Sequence, residues 1–151
     1  MRVSVIGGST VGPEPYETAR EVGRLLGERG HDVVCGGRGG VMEAVCRGAR
    51  AAGGHTIGIL PGGRDGANDA VETAIATHLG NARNPLVVSN GDAVVAVDGG
   101  PGTLSELGHA LDLGRPVAGL DTLRVEGLGG IEHVDTPAEA VEYVESAHEG
   151  N

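Results

Sequence analysis

Three glycine clusters carry the clearest chemical signal in the chain: Gly7-Gly8, Gly36-Gly37-Arg38-Gly39-Gly40 and Gly99-Gly100-Pro101-Gly102. Each follows a short apolar or β-branched run and precedes a stretch of helical periodicity. At such a junction backbone N–H groups gather at the positive end of a helix dipole, which suits an anion and a phosphate above all. A single turn of this kind is as readily just a tight turn. Three of them in 151 residues can build one anion site at the carboxyl edge of a sheet. The expected ligand-binding residues therefore include Gly7, Gly8 and Ser9 from the first turn and Gly36, Gly37, Arg38, Gly39 and Gly40 from the second. Gly99 and Gly100 open the third. Arg38 could grip a phosphate bidentately or pair with a surface acid, and the sequence leaves both open. No G-x-G-x-x-G fingerprint with a ribose-binding acid follows the first strand, which argues against NAD.

The composition narrows the chemistry further. All 11 basic residues are arginine, set against 21 acidic ones for a net charge of −10. Without lysine there is no Schiff-base amine, which excludes pyridoxal phosphate chemistry, and no P-loop lysine, which excludes a Walker-type NTPase. The negative balance opposes nucleic-acid binding, and the basic clusters that hold anionic lipid are missing. A phosphate would have to be held by N–H groups and a few arginines. Arginine without lysine, beside excess acid, is what a high-salt cytoplasm favours, so a halophilic, cytoplasmic protein is expected. The start Met1-Arg2-Val3-Ser4 enters a strand directly, and no apolar run reaches the ~20 residues of a membrane span.

Other chemistry-bearing types read more plainly. Glu106 and His109 stand three apart, a spacing found in carboxylate metal sites, but no matching pair accompanies them and no metal is expected. Cys35 and Cys46 are too few for a disulfide scaffold and are expected to be buried free thiols. The remaining histidines have no companion motif, Arg47 and Arg50 are expected in solvated ion pairs, and Glu139, Glu142 and Glu145 in a solvated helix face. No G-x-S-x-G elbow occurs.

The elements needed to position these turns follow from periodicity. Strands are expected at Val3–Ile6, Asp32–Cys35, Thr56–Leu60, Asp92–Val97, Pro116–Leu120 and a weak Ile131–Val134, with Val71–Thr77 as a further short one. Helices are expected at Glu17–Glu28, Val41–Ala52, Ala82–Ser89 and Thr103–Leu113, and from Pro137 onward with Thr136 as cap. Alternation of this kind predicts an α/β fold, a Rossmann-like doubly wound, mostly parallel sheet forming a single domain over residues 1–151.

With the motifs in place, a family resemblance is apparent. Asp98-Gly99-Gly100-Pro101-Gly102-Thr103-Leu104-Ser105-Glu106 resembles the P-G-G-x-G-T-x-x-E motif of the "lonely guy" family, cytokinin riboside 5′-monophosphate phosphoribohydrolases once mislabelled lysine decarboxylases. Cys35-Gly36-Gly37-Arg38-Gly39-Gly40-Val41-Met42 resembles that family's G-G-x-x-G-x-M turn and adds Met42 to the binding set. The run from Val41 to Ala49, then Thr56-Ile57-Gly58-Ile59-Leu60-Pro61, is closer to a sister group containing the molybdenum cofactor carrier proteins. The resemblance implies Arg83 and Glu106, 23 residues apart, as the catalytic pair, with Glu106 stabilising positive charge on the ribose as the N-glycosidic bond breaks. It implies Gly100, Gly102 and Thr103 as the cradle of a 5′-phosphate, and a homodimer or higher homo-oligomer.

Two functions follow from the resemblance. In one, the chain binds a phosphorylated small molecule, a nucleotide or a pterin with molybdenum cofactor as cargo, without chemistry. In the other, it hydrolyses a nucleoside 5′-monophosphate to free base and ribose 5-phosphate. Arg83-Asn84 stands where the hydrolases carry Arg-Lys, and Ser105-Glu106 where they carry Glu-Glu; both departures suit the carrier-like reading. Asp98 places a carboxylate where proline or glycine is usual. If it points away, the phosphate site is untouched; if inward, it opposes the phosphate.

Overall fold

Strand β1 (Arg2–Gly7) lies at the centre of the sheet because, past the exposed Arg2, little in it resists burial: Val3, Val5 and Ile6 are buried, and the buried polar residue, Ser4, spends its hydroxyl on the Val87 carbonyl at 2.7 Å. A computed structural model describes residues 1–150 and builds seven strands into one sheet. After β1 come β2 (Asp32–Cys35), β3 (Thr56–Leu60), β4 (Thr73–Ala76), β5 (Ala93–Val97), β6 (Val117–Leu120) and β7 (Ile131–Val134). Their order is β4-β3-β2-β1-β5-β6-β7 and every pairing is parallel, so the sheet expected to be mostly parallel is wholly so.

Helices cover both faces, as a parallel sheet requires. On one face α1 (Pro13–Glu28), α2 (Val41–Ala51) and, at the end of the chain, α5 (Pro137–Glu149) pack on Val3, Val5, Val33 and Val95. On the other, α3 (Asn84–Ser89) and α4 (Pro101–Asp112) pack on Ile6, Val34, Val94 and Ala96. The chain winds outward from β1 toward β4, then returns to β5 and winds the other way. The switch point of this doubly wound, Rossmann-like domain is therefore the crevice between β1 and β5, where a ligand is held in such folds.

Proline explains the main boundary corrections. α1 begins at Pro13 rather than Glu17, and α4 at Pro101 rather than Thr103. Both prolines fall outside the expected helix bounds, yet the first turn of a helix has no use for their missing N–H. The stretch expected as one helix from Ala82 divides into a 3₁₀ turn, Gly80–Arg83, and α3, which Pro85 starts. At α5 the Thr136 hydroxyl accepts from the Glu139 N–H at 3.2 Å and donates to its carboxylate at 3.0 Å. Glu145 departs from the expected solvated face: it pairs with Arg29 and with His31 Nε2, pinning α5 to the end of α1.

Candidate functional site

The switch-point crevice holds a cavity of about 610 Å³ open to solvent. In the β1–β5 register Gly7 stands beside Val97, so the turns after both strands open onto one space. Gly7 permits this closeness, because a Cβ there would overlap the Val97 carbonyl oxygen and press on Val41. The first turn brings Gly7, Gly8 and Ser9 to the cavity wall; the second brings Gly36, Arg38 and Met42; the third brings Gly99, Gly100, Gly102 and Thr103. Gly37, Gly39 and Gly40 do not line it. Gly37 packs on Leu60 and Gly58, and Gly40 on the Gly8–Ser9 backbone. Thr103 is buried and closes on Gly99, whose φ of 124° turns the chain into α4.

Arg83 and Glu106 reach the same cavity from opposite sides of the sequence, one from the 3₁₀ turn and one from α4. Each is only 8% exposed. The guanidinium is fixed by three acceptors: Nε donates to the Ile59 carbonyl at 2.9 Å, Nη2 to the Gly36 carbonyl at 3.3 Å, and Nη1 to the Asn84 side chain. That leaves one N–H on each terminal nitrogen for a ligand. Burial pushes the Glu106 carboxyl up to about 7, against the opposing pull of the Arg83 charge. A group so placed exchanges its proton near neutrality, which suits general acid–base work. Among the described residues the two form no direct ion pair.

The third turn supplies donors. α4 begins with Pro101 after an extended Gly100 whose position carries no capping side chain. The N–H groups of Gly102 and Thr103 lie in the first helical turn and have no partner within the helix. Arg38 lies at the exposed rim and forms no ion pair among the described residues. Asp98 also lines the cavity, with φ 55°. One of its carboxylate oxygens lies 3.4 Å from where a methyl group on Gly8 would sit, so the charge faces the first turn. Its backbone is clamped by the Thr122 hydroxyl on its carbonyl at 2.8 Å and by its own N–H to Leu120.

Other expectations separate from the site. His109 lies in a shallow outer groove of α4 with Leu104 and Asp112, while Glu106 faces inward. No cluster of three metal-ligating side chains exists among the described residues. Arg47 pairs with Glu43 at 2.9 Å and Arg50 with Glu72 at 3.1 Å. Asn81 and Thr10 line the cavity without any signal in the sequence, while Asn84 and Pro61 also line it and are marked there only by the family resemblance.

A model of the SLOG cluster4 family matches residues 1–149. An uncharacterized protein of Archaeoglobus fulgidus is 43% identical over 143 residues, covering 95% of this chain and 93% of that one. A probable cytokinin riboside 5′-monophosphate phosphoribohydrolase of Oryza sativa subsp. japonica is 36% identical over 112 residues, 70% of this chain but 46% of that protein, so the chain spans less than half of that relative. Among solved structures, the molybdenum cofactor binding protein of the phototrophic bacterium Rippkaea orientalis superposes with a TM-score of 0.90 at 34% identity, covering 97% of this chain and 96% of that one. No described helix is long and apolar enough to cross a membrane.

Proposed function

The chain belongs to the SLOG cluster4 family, and from that premise we propose that it is a carrier-like binding protein for a phosphorylated small molecule, a nucleotide or a molybdenum cofactor-like pterin. The observation that carries this reading is the convergence of all three glycine turns on one cavity of about 610 Å³ at the switch point. In it the phosphate sits over the N–H groups of Gly102 and Thr103, at the positive end of α4, with Arg83 and Arg38 as the nearby cations. Asp98 faces the first turn and so keeps dianionic groups toward the α4 side. Full-length likeness to a molybdenum cofactor binding protein supports a pterin as cargo. Homo-oligomeric assembly and the absence of a nucleic-acid partner are part of the same proposal.

One observation favours a second reading, hydrolysis of a nucleoside 5′-monophosphate. Glu106, buried beside Arg83 and raised to about 7, is poised to give a proton to a leaving base or, ionised, to stabilise an oxocarbenium-like ribose. Incubating the protein with AMP and related monophosphates in high salt, and chromatographing the mixture, separates the two. Carriage returns the nucleotide intact. Release of free base that disappears in Glu106→Ala establishes the hydrolase instead.

A further inference from the structure

Two thiols touch beneath the cavity. The two-residue period of β2 turns Cys35, with Val33, toward α2. Cys46 lies on the inward face of α2 beside Val45 and Ala49. Both are free and fully buried, and their sulfurs stand 3.5 Å apart. Cys35 Sγ also accepts the Gly37 N–H at 3.3 Å. The next residue after Cys35 is Gly36, whose carbonyl holds Arg83 Nη2. A displacement of Cys35 toward α2 therefore passes through a single peptide unit to the site guanidinium.

We propose that Cys35 and Cys46 form a modification site, a dithiol that a peroxide closes into an intrachain disulfide, and that closure moves the Gly36 carbonyl and with it Arg83. The Cys35 thiolate attacks one peroxide oxygen; the O–O bond breaks, leaving a sulfenic acid on Cys35 and a hydroxide that takes up a proton as water. The Cys46 sulfur then attacks the sulfenic sulfur. The S–S bond forms, the S–O bond breaks, and the hydroxyl departs with the Cys46 proton as a second water. Two thiols are oxidised and one peroxide is reduced to two waters. The order of attack follows from the contacts. Hydrogen bonds from Cys46 and from the Gly37 N–H pull the Cys35 thiol down, whereas Cys46, bonded to Cys35 and buried, is pushed up. Cys35 is the attacking and Cys46 the resolving thiol. Neither sulfur is exposed, so a peroxide reaches Cys35 only when the surrounding structure opens locally.

The test treats the full chain with hydrogen peroxide, alkylates it under denaturing conditions and weighs it intact. The wild type should lose two hydrogen atoms, resist alkylation at both cysteines and yield a Cys35–Cys46 cross-linked peptide that dithiothreitol reverses. Cys46→Ser should instead hold a sulfenic acid on Cys35 that dimedone traps. Amide exchange in the Gly36–Gly40 and Gly80–Asn84 segments should change by about fivefold or more on oxidation of the wild type, and not in peroxide-treated Cys46→Ser. Cysteines that stay alkylatable, or oxygen adducts without a cross-link, would overturn the disulfide. A cross-link that leaves exchange in both segments unchanged would overturn the coupling to Arg83. None of these readouts uses a ligand, so they stand apart from the binding reading.

Discussion

Glu106 and Arg83 are the two buried charged side chains of the described chain, and both face the cavity. For Glu106 the folded-state value of about 7 lies above its ordinary 4.5. The fold therefore prefers the protonated form: this contribution to stability is complete below the ordinary value and is lost as pH rises through the raised one. Glu106→Gln removes the dependence. Denaturant titrations at several pH values should show the variant flatter than wild type between about pH 5 and pH 8, and more stable by about 2–3 kcal/mol at the upper end. Arg83 behaves oppositely. Arg83→Ala strands the Ile59 and Gly36 carbonyls and the Asn84 side chain and leaves Glu106 without its neighbouring cation. The same titrations should show a loss of about 3 kcal/mol. Neither role is legible in composition or spacing. The resemblance of the glycine motif points to the pair, but two of the three acceptors of Arg83, the Ile59 and Gly36 carbonyls, lie far from it in the chain, and only folding brings them to it.

At the scale of elements, the crossing of α1 over α2 makes the sharpest prediction. Gly23 of α1 and Gly48 of α2 let the two backbones meet: a Cβ on Gly48 would overlap the Arg20 carbonyl oxygen, and one on Gly23 the Val45 carbonyl oxygen. Gly48→Ala should raise intrinsic helix propensity yet lower the unfolding midpoint, with a net loss of roughly 2–3 kcal/mol, because backbone atoms cannot step aside as a flexible side chain does. Strands are readable because short β-branched runs stop at turn residues, Gly36 after β2, Pro61-Gly62 after β3 and Asp135 after β7, and all three lie where periodicity puts them. The starts of α1 and α4 are not, because Pro13 and Pro101 serve a helix N-terminus as well as they serve a loop. The α1–α2 crossing is not either. A glycine inside a helix shows in sequence only as a weak position, and its partner is fixed by tertiary packing. The contact between Cys35 and Cys46 is of the same kind, since strand and helix phases must both be known before the sulfurs can be seen to meet.

For the whole molecule the governing quantity is the net charge of −10, the balance of 21 acidic residues against eleven arginines and no lysine. Repulsion among 21 acids weakens as the screening length falls from ~10 Å at about 0.1 M salt to ~3 Å at about 1 M. Scanning calorimetry in potassium chloride should find the melting temperature rising by roughly 5 °C or more across that range; indifference to salt would remove the halophilic reading. The same charge leaves a phosphate ligand dependent on backbone donors, and this is the central claim. It is tested most directly at Gly100, which has open space around its Cβ position and an extended backbone at the start of α4. Gly100→Asp adds a helix cap there, so stability should hold or rise by about 0.5 kcal/mol, while a carboxylate enters the phosphate cradle. Calorimetric titration of wild type and Gly100→Asp with AMP in high salt should show binding to the wild type and roughly tenfold or greater weakening in the variant. Equal affinity in a variant that melts no lower would contradict a phosphate held at the head of α4, and no binding by the wild type would contradict a nucleotide as its cargo.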